Sequence, residues 1–334
     1  MDMVASIDDY SASIVIPQMV KAQKLKGGAP VIKNGRPVKY SGGCCVVFPY
    51  EVYGQKYAVR CWHYAIGDIQ QRSMMIADAI GSCGLPYFAS FEYVRDGIMT
   101  ACGPQPCVIM DWIDAKPLKR YLSENLYNSA KIDALSDAFL KMSCDLKDAG
   151  ISHGDIHHGN ILVRDDGSLV LVDYDSMFVP GMEGFSDVIN GIPGYQHPSR
   201  KNQRKLSPYS DYFPELVIYT SLQALSRHPG LWKKLNMEDS DTMILSKEDI
   251  LSGGKSEIFS ILEADHFLRP LGRALQYQLK QNSLKDLMPL GSVLNGPVNS
   301  LLESISAKWA DNGYVVSRSY DDIPEVVRAL ARSW

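Results

Sequence analysis

Three side chains suited to moving a phosphoryl group lie close together near the middle of this chain. Asp155 and Asn160 are five residues apart in the polar loop HGDIHHGN, and Asp173 ends the apolar run LVLV thirteen residues further on. Phosphoryl transfer needs a carboxylate that orients and deprotonates a hydroxyl, together with oxygen ligands for magnesium. Acid-rich turns also join hydrophobic strands without any such role. The two acids, the amide and their order together favour the chemical interpretation.

The spacing resembles that of the protein-kinase superfamily, of the bacterial or eukaryotic-like Ser/Thr kinase type. In that family the catalytic loop reads H-R-D-x-x-x-x-N and the metal-binding aspartate opens D-F-G. Here residues 153–155 read H-G-D, Asn160 follows, and residues 173–175 read D-Y-D. The loop HGDIHHGN is also similar to that of aminoglycoside and other small-molecule phosphotransferases.

The resemblance implies a role for each of these residues. Asp155 would be the catalytic base, and Asn160 and Asp173 would bind Mg²⁺. His157 stands where Ser/Thr kinases usually keep a lysine that contacts the transferred phosphate. An unperturbed histidine pKa near 6.5 would leave His157 largely neutral at pH 7. His158 is interpreted as a structural or solvent-facing residue.

Three strand-like runs precede the loop, at residues 37–40, 44–51 and 57–62. A glycine pair, Gly42 and Gly43, lies in the first connection and can bring backbone N–H groups close to a phosphate. A plain hairpin turn is the alternative. By the resemblance, Gly43 is the last glycine of a kinase Gly-rich loop. Cys45 and Ala58 would then form the apolar roof over adenine.

Arg60 departs from the family pattern. Kinases carry a lysine there, which pairs the nucleotide phosphates with a glutamate of the following helix. Arginine keeps the positive charge, but its planar fork does not replace a compact ammonium. The helix predicted over residues 67–83 contains no glutamate. Asp78, or else Gln70 or Gln71, is the expected partner of Arg60.

The apolar run at residues 108–113 resembles the strand that leads into the kinase hinge. The resemblance implies that Met110 is the gatekeeper and that the backbone of Asp111 and Ile113 hydrogen-bonds adenine. An ordinary core strand is the alternative.

Two helices are predicted between this strand and the catalytic loop. A helix begins near Pro117, and a stronger one covers residues 129–149. In the stronger helix apolar residues recur every three or four positions, and Gly150 follows as a stop signal. A helix directly precedes the catalytic loop in kinases as well.

The segment after the D-Y-D triplet resembles a kinase activation segment as far as residue 198. Residues 191–198 read GIPGYQHP, and Ser199 replaces the glutamate that usually forms a buried ion pair. Residues 210–219 then read SDYFPELVIY, which resembles the kinase run S-D-V-W-S-L-G-x-x-x-Y. The resemblance implies that Asp211 accepts backbone N–H groups of the catalytic loop. The resemblance covers roughly residues 38–225, in family order throughout.

Regulation by phosphorylation of this segment is not expected. The arginine of H-R-D binds the phosphorylated segment in kinases that are switched in this way, but Gly154 occupies that position here. The segment from residue 173 to 198 has no threonine, and its serines are Ser176 and Ser186.

Composition limits the class of protein. The chain has 334 residues, is 46% hydrophobic and carries a net charge of -4, which argues against nucleic-acid binding as its main task. No run of 18 apolar residues and no signal-like start appears, so we expect no membrane contact. The seven cysteines lack a CxxC spacing and are interpreted as reduced core residues of a cytoplasmic protein.

These features predict an α+β, bilobal, protein-kinase-like fold with a small antiparallel sheet lobe and a larger, mainly helical lobe. The expected division is a lead-in segment at 1–37 with a short helix near 16–24, a nucleotide-binding N-lobe at 38–113 and a catalytic C-lobe at 114–300. A helical tail at 301–334 is expected to pack on the C-lobe. Its apolar stripe consists of Ile323, Val326, Val327, Leu330 and Trp334.

The expected function is ATP- and Mg²⁺-dependent phosphoryl transfer, most specifically Ser/Thr protein phosphorylation. The acceptor would be a protein or small-molecule hydroxyl. Two alternatives stay open: a pseudokinase that binds nucleotide as a scaffold, and a small-molecule kinase. The sequence does not indicate the acceptor or the oligomeric state.

Overall fold

The computed structural model describes residues 4–64, 67–187 and 191–295. The chain forms two compact units, residues 1–114 and 115–334. The first is built on an antiparallel sheet and the second is mainly helical, which confirms the predicted α+β class. Across the described ranges, none of the helices combines the length and apolar character needed to span a bilayer.

The first unit contains a six-stranded sheet and two helices in its described part. Its strands are β1 (Ala29–Pro30), β2 (Ile32–Lys33), β3 (Arg36–Pro37), β4 (Tyr40–Ser41), β5 (Cys45–Val52), β6 (Gln55–Trp62), β7 (Glu92–Thr100) and β8 (Gly103–Asp111), and its helices are α1 (Ile7–Ile14) and α2 (Ile69–Cys83). The sheet order is β1-β5-β6-β8-β7, with β4 also paired to β5, while β2 and β3 form a separate pair. The predicted strand at 37–40 is instead split between β3 and β4.

The hairpin of β5 and β6 fixes the register of the sheet. Tyr53 and Gly54 form its two-residue turn, and both have positive φ angles, 49° and 85°. Such turns match the right-handed twist of the flanking strands. The next strand pairing, between β6 and β8, sets Ala58 opposite Met110 and Arg60 opposite Val108.

The lead-in segment is part of the core of the first unit. The helix predicted near 16–24 is wrong, because α1 lies earlier and is followed by two 3-10 turns at Pro17–Met19 and Gln23–Leu25. Ser6 and Asp9 form a capping box that starts α1, and a proline at 17 disfavours helix in the residue before it. The lead-in residues buried in the core are Ala5, Tyr10, Ile14, Val20, Ala22 and Leu25.

The second unit combines a small sheet with a helical layer. Its strands are β9 (Lys116–Pro117), β10 (Ile161–Val163) and β11 (Leu169–Leu171), and its helices are α3 (Leu118–Asn125), α4 (Ser129–Asp148), α5 (Tyr212–Arg227), α6 (Leu231–Lys234), α7 (Lys247–Leu251), α8 (Glu257–Ala264), α9 (Arg269–Gln278) and α10 (Leu290–Asn295). Helix α4 packs on α5. Short 3-10 turns lie at Pro198–Asn202 and Leu284–Asp286.

Helix α4 directly precedes the catalytic loop, which we define as residues 152–160. Its predicted apolar stripe is buried, as are both strands that follow the loop. At its C-terminus the Ile151 N–H donates to the Leu146 carbonyl and the Gly150 N–H to that of Lys147. This is a Schellman motif, and the φ of +68° at Gly150 provides its left-handed residue. The predicted helical tail at 301–334 lies outside the described residues.

Candidate functional site

The catalytic loop is held at both ends by backbone hydrogen bonds. Ser152 and Phe178 exchange two of them, at 3.0 and 2.8 Å. The Val172 N–H donates to the Asn160 carbonyl at 3.0 Å, which joins the end of the loop to the residue before Asp173. The His153 ring adds a third tie, because its Nε2 donates to the Val172 carbonyl at 2.9 Å. The loop and the end of β11 therefore form one connected structure.

Asp155 has the properties of a proton acceptor. Its side chain is 18% exposed, and burial raises its pKa to about 6, with the charge of Asp173 acting in the same direction and that of Arg200 against it. Within the described part of the chain, its Oδ1 has no hydrogen-bond partner. A carboxylate that is only partly solvated and titrates near neutrality suits general base catalysis.

The two predicted magnesium ligands, Asn160 and Asp173, both follow this carboxylate in the chain. The Asn160 side-chain nitrogen donates to the Asp155 carbonyl at 2.9 Å, so the amide oxygen is not used in that bond. Asp173 is exposed and has a φ of +68°, a conformation rare for a residue other than glycine. One carboxylate and one amide oxygen fit Mg²⁺, which usually completes its shell with water and substrate phosphates. In the described ranges no cluster of three or more His, Cys, Asp or Glu side chains offers a different metal site.

Asp211 supports the loop from beneath, as predicted. Its carboxylate accepts the backbone N–H groups of His153 and Gly154, the latter at 2.8 Å. Asp211 is 3% exposed and stands at the N-terminus of α5. Both backbone donors therefore depend on this one buried side chain.

Gly154 cannot be replaced by the arginine of the kinase pattern without moving the backbone. Its φ is +78°, and a Cβ atom there would overlap the Ser176 carbonyl oxygen. Ser176 itself is 2% exposed, so its hydroxyl is inaccessible in the folded chain, whereas Ser186 is exposed. This packing agrees with the expectation that phosphorylation of Ser176 does not switch the site.

The two histidines of the loop are both uncharged at pH 7, unlike the lysine that His157 would replace. Burial lowers the pKa of His157 and of His158 to about 4, so both are neutral at pH 7. The Nδ1 of His157 accepts the Gly159 N–H at 3.0 Å, which leaves Nε2 as a neutral donor 3.8 Å from an Asp155 oxygen. His158 hydrogen-bonds the Tyr195 hydroxyl at 2.6 Å, which supports its structural interpretation.

The predicted nucleotide-side residues of the first unit lie on β4 to β6 and at the end of β8. Gly42 and Gly43 follow β4, and a Cβ added to either would meet no described atom within 4 Å, so packing does not demand glycine there. Ala58 and the predicted gatekeeper Met110 are cross-strand neighbours, while Cys45 begins β5. The remaining predicted contacts, Asp111 and Ile113, lie in the chain after Met110.

The backbone of Asp111 is only half available for adenine. Its N–H already donates to the Ser90 hydroxyl at 3.0 Å, so only its carbonyl oxygen remains for a ligand. Ser90 lies 21 residues earlier, and nothing in the local pattern predicts this contact. The backbone of Ile113 is not engaged in any such bond among the described residues.

The expected partners of Arg60 are on the wrong face of α2. Arg60 is 2% exposed, whereas Asp78, Gln70 and Gln71 are all exposed. The buried face of α2 carries Arg72 instead, together with Ser73 and Ile76. Sequence reasoning missed this second buried arginine, because a helix without glutamate gives no signal for which polar residue turns inward.

A histidine anchor stands near the position of the missing glutamate. The Ser199 N–H donates to Nδ1 of His197 at 3.2 Å, and Nε2 of the same ring donates to the Gln278 carbonyl of α9 at 2.9 Å. A buried ion pair at 2.7 Å joins Arg200 to Asp187 one residue further on. The end of the activation segment is therefore fixed to α9 and to Asp187 without the usual Glu–Arg pair.

Glu215 is a buried acid in the helix that begins at Asp211, the residue that supports the catalytic loop. It lies on α5, one turn after Asp211, and burial together with the Asp211 charge raises its pKa well above the ordinary value. Folding thus favours the protonated form of Glu215, whereas the unfolded chain ionises this group at its ordinary pKa. Folding then requires proton uptake, so this group lowers stability as the pH rises above the unfolded pKa near 4.5.

We expect Glu215→Gln to stabilise the chain at pH 8, because the amide is isosteric and needs no proton. The gain should be at least about 1 kcal/mol, or roughly 2–4 °C in Tm. It should shrink as the pH falls toward 4.5, the ordinary pKa of the group. Thermal melts from pH 5 to 8 test this, with the exposed Glu183→Gln as control. Equal melting temperatures of Glu215→Gln and wild type across that range would contradict the claim that burial favours the protonated form of Glu215.

Two comparisons with known proteins found similarity to kinase-like sequences over part of this chain. Residues 98–182 match the family described as ABC1 atypical kinase-like domain, and that stretch includes Asp155, Asn160 and Asp173. The chain is also 35% identical over 71 residues to the serine/threonine-protein kinase rio2 of Schizosaccharomyces pombe. That match spans 21% of this chain and 19% of the relative, so it concerns a short part of both proteins.

Proposed function

We propose that this chain, a member of the protein-kinase-like superfamily, is an ATP- and magnesium-dependent phosphotransferase that phosphorylates Ser or Thr hydroxyls of proteins. The observation that carries the proposal is Asp155. Its carboxylate has a pKa of about 6 and lies in a loop that also carries Asn160 and leads to Asp173. General bases work best when their pKa lies near the working pH.

In the proposed reaction Asp155 orients the acceptor hydroxyl and takes its proton. The hydroxyl oxygen bonds to the γ-phosphorus as the bond from that phosphorus to the β–γ bridging oxygen breaks, and ADP leaves. Asn160 and Asp173 hold Mg²⁺, which when bound neutralises charge on the phosphate oxygens. The low pKa of His157 makes its Nε2 a neutral hydrogen-bond donor for the transferred group.

The nucleotide would be held by residues of the first unit. Arg60 and the backbone of Gly42 and Gly43 face the phosphates in this proposal. The Gly43 N–H would be the donor, because that of Gly42 already donates to the Cys45 carbonyl at 2.9 Å. Cys45 and Ala58 cover the adenine. Met110 is the proposed gatekeeper, and the Asp111 carbonyl and the Ile113 backbone the proposed adenine contacts. We also propose a cytoplasmic location, supported by seven cysteines that are all free thiols.

A nucleotide-binding pseudokinase is the second candidate. It is favoured by the buried face of α2, where Arg72 lies and no carboxylate does. This helix therefore lacks the buried glutamate of the kinase pattern. A small-molecule kinase is the third candidate, because the catalytic-loop sequence HGDIHHGN is similar to that of small-molecule phosphotransferases.

Mg-ATP should stabilise the protein against thermal unfolding. Both proposed metal ligands are present, and a ligand at about 100 times its Kd adds roughly 2.7 kcal/mol to the free energy of unfolding. Melts with millimolar Mg-ATP, with ATP plus EDTA and without nucleotide test this. An unchanged melting temperature together with no heat of binding by calorimetry would rule out the nucleotide-binding proposal, for kinase and pseudokinase alike.

Substitutions of Arg60 distinguish an active enzyme from a scaffold. If Arg60 clamps the phosphates, Arg60→Lys should keep or raise turnover, while Arg60→Ala should lose it, because the positive charge is gone. Phosphate transfer to a generic protein, to the chain itself and to a panel of metabolites should be measured for each variant. The same turnover in all three proteins would exclude Arg60 from the site, and turnover gained only by Arg60→Lys would favour the pseudokinase.

A further inference from the structure

A concentrated positive surface lies at the end of the activation segment. Residues 198–205 read PSRKNQRK, with four basic residues and no acid, in a chain whose net charge is -4. We call this stretch the basic segment. It begins as the 3-10 turn Pro198–Asn202 and continues to Lys205 in an extended form.

The basic segment is held in place by contacts that do not involve the side chains of two of its cations, Lys201 and Arg204. Arg200 is buried in its ion pair with Asp187. The Asp187 N–H donates to the Arg204 carbonyl at 3.0 Å, and Lys205 donates to the Gly184 carbonyl at 2.6 Å. Because one arginine, one lysine and the backbone provide the anchoring, the side chains of Lys201 and Arg204 are not needed for it.

Lys201 and Arg204 face solvent without an acidic partner. Both are exposed, and in the described ranges neither forms an ion pair. Glu183 is the exposed acid nearest to them in the preceding part of the segment.

The basic segment adjoins the loop that carries Asp155. The charge of Arg200 acts on the Asp155 carboxyl, opposing the rise in its pKa. Tyr195, three residues before the basic segment, hydrogen-bonds His158 of the catalytic loop at 2.6 Å. The start of the basic segment therefore lies close to the loop that carries Asp155.

We propose that the basic segment is a docking surface for an acidic stretch of a protein acceptor, which it holds next to the catalytic loop. The acceptor role rests on the proposed function, whereas the charge complementarity does not. Complementary charges raise association rates and fix orientation. Nucleic acid fits less well, because its affinity for a protein grows with the number of phosphates that cations neutralise, and the basic segment exposes few cations.

The test uses the whole chain and two matched double variants. Lys201→Glu with Arg204→Glu reverses the exposed charges and leaves the anchoring Lys205 intact. Lys247→Glu with Lys255→Glu makes the same change in net charge at two exposed lysines elsewhere in the second unit. Binding of a labelled serine peptide flanked by aspartates is measured by fluorescence anisotropy, beside its asparagine counterpart and a single-stranded DNA of equal length. Thermal melts with Mg-ATP report that each variant is folded.

Wild type and the control variant should bind the aspartate peptide at least about tenfold more tightly than the asparagine peptide, and the reversal variant should lose this preference. In transfer assays the reversal should raise KM for the aspartate peptide and leave kcat near wild type. Unchanged preference in a folded reversal variant, or tighter binding of the DNA than of the peptide, would overturn the proposal. A wild type that prefers the aspartate peptide but never responds to Mg-ATP would keep the docking surface and overturn its acceptor role.

Discussion

Asp155→Asn should reduce phosphate transfer by about 10²–10⁴-fold, the usual contribution of a positioned general base. Mg-ATP binding should stay close to wild type, because Asn160 and Asp173 are the proposed metal ligands. The amide has nearly the same shape as the carboxyl, so folding should change little. Initial rates of transfer and the Mg-ATP shift in melting temperature measure the two effects separately. Asp165→Asn, an exposed change in the next turn, is the control.

The pH dependence of wild-type turnover should also reveal Asp155 as the general base. The pKa of Asp155 in the free chain is about 6, so the carboxylate is the dominant form above pH 6 and is progressively protonated below it. The value of kcat/KM should therefore fall as the pH drops through about 6. Retention of most wild-type turnover by Asp155→Asn, or a flat profile from pH 5 to 8, would remove Asp155 from the role of base.

Asp211→Ala should be the most damaging single change to the loop. It leaves the buried N–H groups of His153 and Gly154 without their acceptor, and each unsatisfied buried donor costs about 1–3 kcal/mol. We expect a loss of roughly 2–5 kcal/mol in the free energy of unfolding and little remaining transfer. Denaturant unfolding gives the stability, and hydrogen exchange of residues 152–160 reports whether the loop has loosened.

A capping aspartate elsewhere provides the matched control for Asp211. Asp249 closes the capping box of α7 with Ser246, far along the chain from the catalytic loop. Asp249→Ala should cost about 0.5–2 kcal/mol, as loss of a helix cap does, without affecting transfer. If Asp211→Ala behaved like Asp249→Ala in both assays, the loop would not depend on the buried carboxylate.

The position and the support of the catalytic loop could be predicted from the sequence, because both follow from short, recognisable sequence patterns. The periodicity of α4 and Gly150 predicted where the preceding helix ends, and the S-D pair at 210–211 predicted the support by Asp211, which is confirmed. Asp155 and its neighbours then follow in a loop that the backbone holds together. Their roles in catalysis stay predictions.

The missed features depend on contacts between distant residues. The N–H of Asp111 is taken by a serine 21 residues away, and His197 bonds to a carbonyl 81 residues away. Neither pairing leaves a periodic signal in the chain. Arg72 was overlooked for a related reason, since an arginine in a helix is usually predicted to be exposed, whereas the structure buries this one.

The burial of the lead-in segment has a consequence for how the protein is made. The N–H groups of Lys21 and Ala22 donate to the Gly97 carbonyl, and that of Ala5 to the Gln105 side chain. A ribosome adds about 5–20 residues per second. The apolar residues of the lead-in segment therefore wait some seconds after their own synthesis for strands β7 and β8 to be synthesised. During that interval Tyr10, Ile14 and Leu25 lack their partners, so the nascent chain offers a chaperone an apolar target before the sheet can close over it.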